Sequence, residues 1–211
     1  MPKPAKPYVD DAEYLEAELA WIDARCRHIH AKREASNTVA QFPVSRHESK
    51  DANRLLLFAW QSRKTKARNE EIHHRTELDR RLAVMRRNGG GPALDRLCGS
   101  HELGECERTL LLLAAASTIT RAFEPLFADL SDFVSEGVLC PGVLFDFLGR
   151  STADRVRARE IFLPDRPLCR EGLIDIQPMD VLADPTFVET PIRIRARALG
   201  AMLGRTPISN H

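Results

Sequence analysis

The stretch that most limits what this chain can fold into is ECERTLLLLAAASTITRAFEPLFADL, residues 105–130, where seven consecutive apolar residues from Leu110 to Ala116 follow two glutamates. A helix that is apolar on every face must be covered by protein or by lipid. Crossing a bilayer takes about 20 apolar residues, and this run is closed by Ser117, Thr118 and Arg121. The segment is therefore expected to be a helix buried in protein, at the centre of a domain. Glu105 and Glu107 stand near its amino end, where the helix dipole favours carboxylates.

A chain of 211 residues with 43% hydrophobic residues can build a genuine core around such a helix. Its 31 Lys and Arg against 30 Asp and Glu leave a net charge of +1, which is not the signature of a dedicated nucleic-acid binder. The charge is unevenly placed, however. Residues 63–87 hold nine Lys and Arg against four acids, whereas residues 10–23 hold six acids and no Lys or Arg. The five cysteines, Cys26, Cys98, Cys106, Cys140 and Cys169, are scattered and odd in number, and MPKPAKPYVDD is no secretory signal. A reducing cytoplasm is the expected location, with no membrane partner.

The only locally biased stretch, NGGGP at 88–92, reads as a linker. It divides the chain into a helical hairpin region (1–87), the linker, and a helical core with a smaller domain after it (93–211). In the first part Leu15, Leu19, Ile22, Cys26 and Ile29 alternate spacings of four and three, one stripe of a helix from Asp11 to about Glu34. SNTVAQFPVSRHESK reads as a loop, and a second helix starting near Asp51 carries Leu55, Leu56, Ala59, Trp60, Leu78, Leu82 and Met85. The two are expected to form an antiparallel hairpin.

Beyond the linker, Leu94 and Leu97 precede a break at GSHELGE, and the buried helix runs from Glu105 to about Ile119. Phe123, Leu126, Phe127 and Leu130 give a further amphipathic turn set. Pro141 is placed to open the helix PGVLFDFL, since a first helical residue needs no N–H, and Gly149 is expected to stop it. STAD at 151–154 resembles a capping box for a helix reaching about Phe162. LCREGLIDIQP then alternates apolar and polar residues around a turn at Glu171 and Gly172; TFVETPIRIR offers another extended segment before a last short helix. Three helices, a small hairpin and a returning strand are the order of a winged helix. The fold class is thus mostly α with a small β wing, α+β.

ALDRLCGSHELGECERTLLLLAAASTI, followed by LFDFLG, RVRAREIFLPDRPLCREGLIDI and PIRIRARALGAMLG, resembles the region preceding the ATPase module in bacterial AAA ATPases, including those encoded with extracellular contractile injection systems. The likeness covers about half the chain, and YLEAELAWIDARCR matches more loosely. It implies a non-catalytic adaptor that binds a protein partner or substrate for the ATPase ring, with its own AAA module in a homo-oligomer as another partner.

No enzyme is expected in the chain itself. A phosphate-cradling loop needs G-x-x-x-x-G-K-[ST], and NGGGPALDR has the glycines without the lysine. No catalytic residue, cofactor or metal is assigned. Cys98, His101 and Cys106 are zinc-compatible types, but structural zinc takes four ligands at short regular spacings and no fourth stands nearby. His28, His30, His73 and His74 read as surface histidines. The partner surface is placed on Arg155 and Arg159 of the third helix and on a wing around Arg170 and Glu171. The alternative is a DNA-binding regulator in which Arg155, Arg157 and Arg159 meet phosphates; Asp154 and Glu160 share that helix, and it has no Asn or Gln to read bases. A third reading makes residues 63–87 a basic arm that holds subunits together.

Overall fold

In the computed structural model of the protein, residues 5–41, 50–130, 137–148, 151–177, 181 and 184–205 are described. The described residues are mostly helical, with a small two-stranded antiparallel sheet. Helix α1 spans Asp11–Gln41, and its first turn is capped by Asp10, whose carboxylate accepts from the Glu13 N–H at 2.8 Å. Leu15, Ile22 and Cys26 of the expected stripe are buried, with Leu19 and Ile29 half-buried beside them. Helix α2, Lys50–Arg87, runs antiparallel to α1. The direction is fixed by charge pairs: Glu13 meets Arg81 at 2.5 Å, while Glu71 takes Arg25 at 2.6 Å and His28 at 2.5 Å. His28 is thus part of the helix interface and not a surface histidine.

Burial pushes the Glu71 carboxyl up, but the hydrogen bonds from Arg25 and His28 outweigh it and hold the group below its ordinary range. A carboxylate whose folded pKa is depressed stabilises fully above its unfolded pKa of about 4.3. That contribution is lost as pH falls through the lower folded value. Glu71→Gln is expected to melt below the parent at neutral pH, yet to lose less on going from about pH 5 to about pH 3, because this acid limb is gone. Parallel melting curves for the two proteins across that range would refute the assignment.

Two details of the hairpin differ from expectation. Helix α1 continues past Glu34 through residues read as loop, with Ser36 Oγ donating back to the Lys32 carbonyl at 3.0 Å. On α2 the apolar contact is made by Leu78, Leu82 and Met85, whereas Ala59 is exposed and Trp60 lies under the Arg63 guanidinium at 5.1 Å. The side chains of Leu55 and Leu56, and residues 42–49 of the expected loop, lie outside the described part.

After a turn over the linker, helix α3, Ala93–Ser100, is tied back to the start of α1, since the Ala93 N–H donates to Asp11 Oδ1 at 2.6 Å. Helix α4, Glu105–Ile119, then passes through the centre. Leu110 to Ala116 are all 0% exposed, which is the cover that an all-round apolar helix requires. It packs against α1, α6 and β2. A 3-10 turn, Arg121–Phe123, leads to α5, Glu124–Leu130, which buries Phe127 and Leu130. Helix α6, Pro141–Leu148, opens on proline as expected; Gly149, its expected stop, is outside the described residues. Helix α7 is Thr152–Glu160, with the Ser151 carbonyl accepting from the Arg155 N–H at 3.0 Å; the Asp154 side chain of the expected capping box is not among those described. One hydrophobic cluster includes Tyr14 and Ile22 of α1, Leu78 of α2, the α4 run, Phe147 of α6 and Met202 of the last helix. Among the described residues no single helix is long and apolar enough to cross a membrane.

The segment expected to alternate around a turn at Glu171 and Gly172 does turn there, but the residues before the turn are helical. Pro167 opens a one-turn helix, α8, Pro167–Arg170. Gly172, at φ +54°, closes it: its N–H donates to the Cys169 carbonyl at 3.0 Å, and the Leu173 N–H reaches the Leu168 carbonyl at 2.9 Å. Only then does strand β1, Ile174–Ile176, begin. Similarly, Pro185–Glu189 is a 3-10 turn capped by Asp184, and strand β2 is confined to Ile192–Ile194 before helix α9, Ala196–Met202. The strands pair antiparallel with Ile174 opposite Ile194 and Asp175 opposite Arg193.

Candidate partner-binding surface

Helix α7 is anchored from below by Ala158, and just beyond it Ile161 and Phe162 are buried, Phe162 meeting Phe187 edge to face at 5.2 Å between ring centroids. Its described arginines are engaged within the fold. Arg155 pairs with Asp146 of α6 at 2.9 Å, and the same carboxylate takes Arg33 of α1 at 2.8 Å, so one buried-side acid joins three helices. Arg159 donates to the Asp184 carbonyl at 3.2 Å and stacks over the Phe187 ring at 5.2 Å. These two side chains therefore brace the helix against α6 and the 3-10 turn. Between them Val156 is 54% exposed, although a branched apolar side chain gains nothing from water. The Arg157 side chain is outside the described part.

Arg170 and Glu171 lie at the expected turn, but the turn closes a helix instead of joining two wing strands. They end α8, paired with each other at 3.0 Å, and Glu171 lies 3.9 Å from His101 at the end of α3. The reason is the helical turn that Pro167 starts and Gly172 stops, which leaves only the residues after Gly172 to enter the ladder. The solvent face of the ladder instead carries Asp175 and Arg193, opposite each other in register, with Arg195 3.6 Å from Asp175. Arg197 folds back to donate to the Gly172 carbonyl at 3.1 Å. The alternation in PIRIR was the available signal: with Ile192 and Ile194 buried, Arg193 and Arg195 must face out.

Among the described residues no three His, Cys, Asp or Glu side chains converge as a metal set. Burial pushes the Cys98 thiol up to about 11. The five cysteines are free thiols.

Along β2, N–H groups alternate in direction. Arg195 N–H points to β1, where it meets the Leu173 carbonyl at 3.0 Å, and Ile192 N–H points to the other edge, where it meets the Leu139 carbonyl at 2.9 Å. The chain entering α6 thus lies against β2 on the side away from β1. Helices α4, α6 and α7, a two-stranded wing, and a chain segment between the first two helices held on the outer strand define a winged helix, a fold that binds DNA or protein. Residues 1–209 match the family model described as winged helix domain, variant, and the chain belongs to that family. Neither a curated protein nor a solved structure matches the chain.

Proposed function

We propose that this winged helix is a non-catalytic protein-recognition region, and, on the resemblance of residues 93–204, that it serves a AAA-type ATPase of the kind encoded with contractile injection systems by binding a partner or substrate for the ring. The observation that carries the protein-binding part is the state of α7. Arg155 and Arg159 are taken up by Asp146, Asp184 and Phe187, leaving exposed Val156 between them, where a groove-reading helix would present free donors. The second reading, a DNA-binding regulator, draws on Arg193 and Arg195 of the wing, which face solvent. Sequencing the reading frame downstream of His211 tests the link to an ATPase.

The binding test uses proteins encoded beside this one, each purified and passed over the immobilised chain at moderate salt. One is expected to be retained, and Val156→Asp is expected to abolish retention while moving the Tm by only a few degrees, because exposed substitutions change stability by about 0.5 kcal/mol. Nanomolar, sequence-discriminating binding of a duplex in physiological salt, lost in Arg193→Gln, would give the function to the regulator instead.

A further inference from the structure

The acidic and basic ends of the hairpin largely neutralise each other, and the densest run of cations left over lies on α2. Towards its carboxyl end most of the arginines of α2 are matched, Arg75 with Asp79, Arg81 with Glu13 and Arg86 with Asp95, and Arg87 has no ion pair among the described residues. Further up the helix the pattern stops. No Asp or Glu occurs from position 52 to position 69, whereas Arg63, Lys64, Lys66 and Arg68 fall within six residues. All four are exposed, and Lys64, Lys66 and Arg68 have no ion pair among the described residues. Lys64 and Arg68 are moreover four apart, an arrangement of like charges that destabilises a helix. Acids one turn on stand only beside Lys66, as Glu70, and beside Arg68, as Glu71, which Arg25 and His28 already take up.

The surface between these cations is of a particular kind. Ser62, Thr65 and Asn69 follow one another at spacings of three and four and so form one line on the helix, exposed along its length. On a helix wheel Lys66 stands on one side of this line and Arg68 with Lys64 on the other, at 100° per residue. Hydroxyls and amides flanked by Lys and Arg are the side chains that contact phosphate oxygens and sugars. A docked protein helix would need an apolar seam, and the exposed apolar residues in line with this row, Phe58 and Ile72, are fourteen positions apart, about 21 Å at 1.5 Å per residue.

We infer that residues 61–69 of α2 form a docking surface for the phosphate backbone of a nucleic-acid duplex, bound without reading its sequence. It lies on a different element from the α7 and wing surface, and it stands or falls independently of the protein partner proposed there. The net charge of +1 does not oppose it, since that value averages over acids already paired inside the hairpin.

The test is fluorescence anisotropy of the full chain with a labelled 20-base-pair random-sequence DNA duplex, titrated at several salt concentrations from about 50 mM upward, where each neutralised phosphate contributes about −0.9 to the slope of log K against log salt. The parent is expected to give a slope near −3, equal for unrelated sequences. The triple variant Lys64→Gln, Lys66→Gln, Arg68→Gln is expected to bring the slope close to zero and to weaken binding at least about tenfold at low salt. Glutamine is a good helix former, so circular dichroism should show unchanged helicity. Arg193→Gln is expected to leave the slope unaltered. No binding at 50 mM salt overturns the inference; so do a slope that survives the triple variant, a slope abolished by Arg193→Gln, and binding of polyglutamate with no binding of the duplex.

Discussion

Leu112→Asp is expected to yield a protein with no cooperative thermal transition, recovered as insoluble or loosely packed material. Leu112 is 0% exposed, in the middle of seven residues that are all 0% exposed. The substitution forfeits about 2 to 3 kcal/mol of apolar burial. It also puts a carboxyl group where no solvent reaches, which adds several kcal/mol even if the group takes up a proton. Together these approach the whole stability of a domain, about 5 to 15 kcal/mol. Leu112→Ala is the control: a cavity there costs about 2 to 5 kcal/mol, and the chain should still fold. If the aspartate variant melted within a few degrees of the parent, α4 would not be the central helix.

That prediction uses the part of the fold most legible in the sequence. An unbroken apolar run too short to cross a bilayer has to be covered by protein, so the bounds of α4 and its burial followed from composition along a single segment. Pro141 and the Leu15 to Ile29 stripe were readable for the same reason, since each signal is local. The wing was harder. An alternating pattern of three or four residues is compatible with a strand or with a turn of helix, and the Pro167 and Pro185 turns decided it locally. Reading those prolines as helix openers, as for Pro141, would have moved the ladder to Ile174–Ile176 and transferred attention from Arg170 to Arg193. Which charges are spent and which are left cannot be read from one segment at all. Arg155 and Arg68 look alike in the chain, and only the approach of Asp146 from α6 separates a structural arginine from an available one.

The strongest case of this kind lies under α1. Glu18 counts in the sequence as one of six acids near the amino end, and Arg108 as a lone cation between Glu107 and the leucine run. In the fold Glu18 is 0% exposed and Arg108 reaches it from α4, donating to the same oxygen that accepts from the Tyr14 hydroxyl. Arg108 also donates to the Tyr14 oxygen at 2.6 Å, and Asp95 of α3 lies 3.8 Å away. Burial pushes the Tyr14 phenol well above its ordinary range, so it remains a donor to Glu18. This group joins three helices, and the other Glu18 oxygen, Oε2, is buried with no partner among the described residues. A buried ion pair contributes little net stability over apolar residues, but removing one partner strands the other and costs about 3 to 5 kcal/mol. Arg108→Met is accordingly expected to lower stability by about that amount, read as a lower midpoint in urea with an unchanged slope. Adding Glu18→Gln removes the stranded charge while keeping an acceptor for Tyr14, and should recover a large part of the loss. If the double variant is as unstable as the sum of the two single ones, the residues do not act as a pair, and the anchoring of α1 on α4 rests on apolar packing alone.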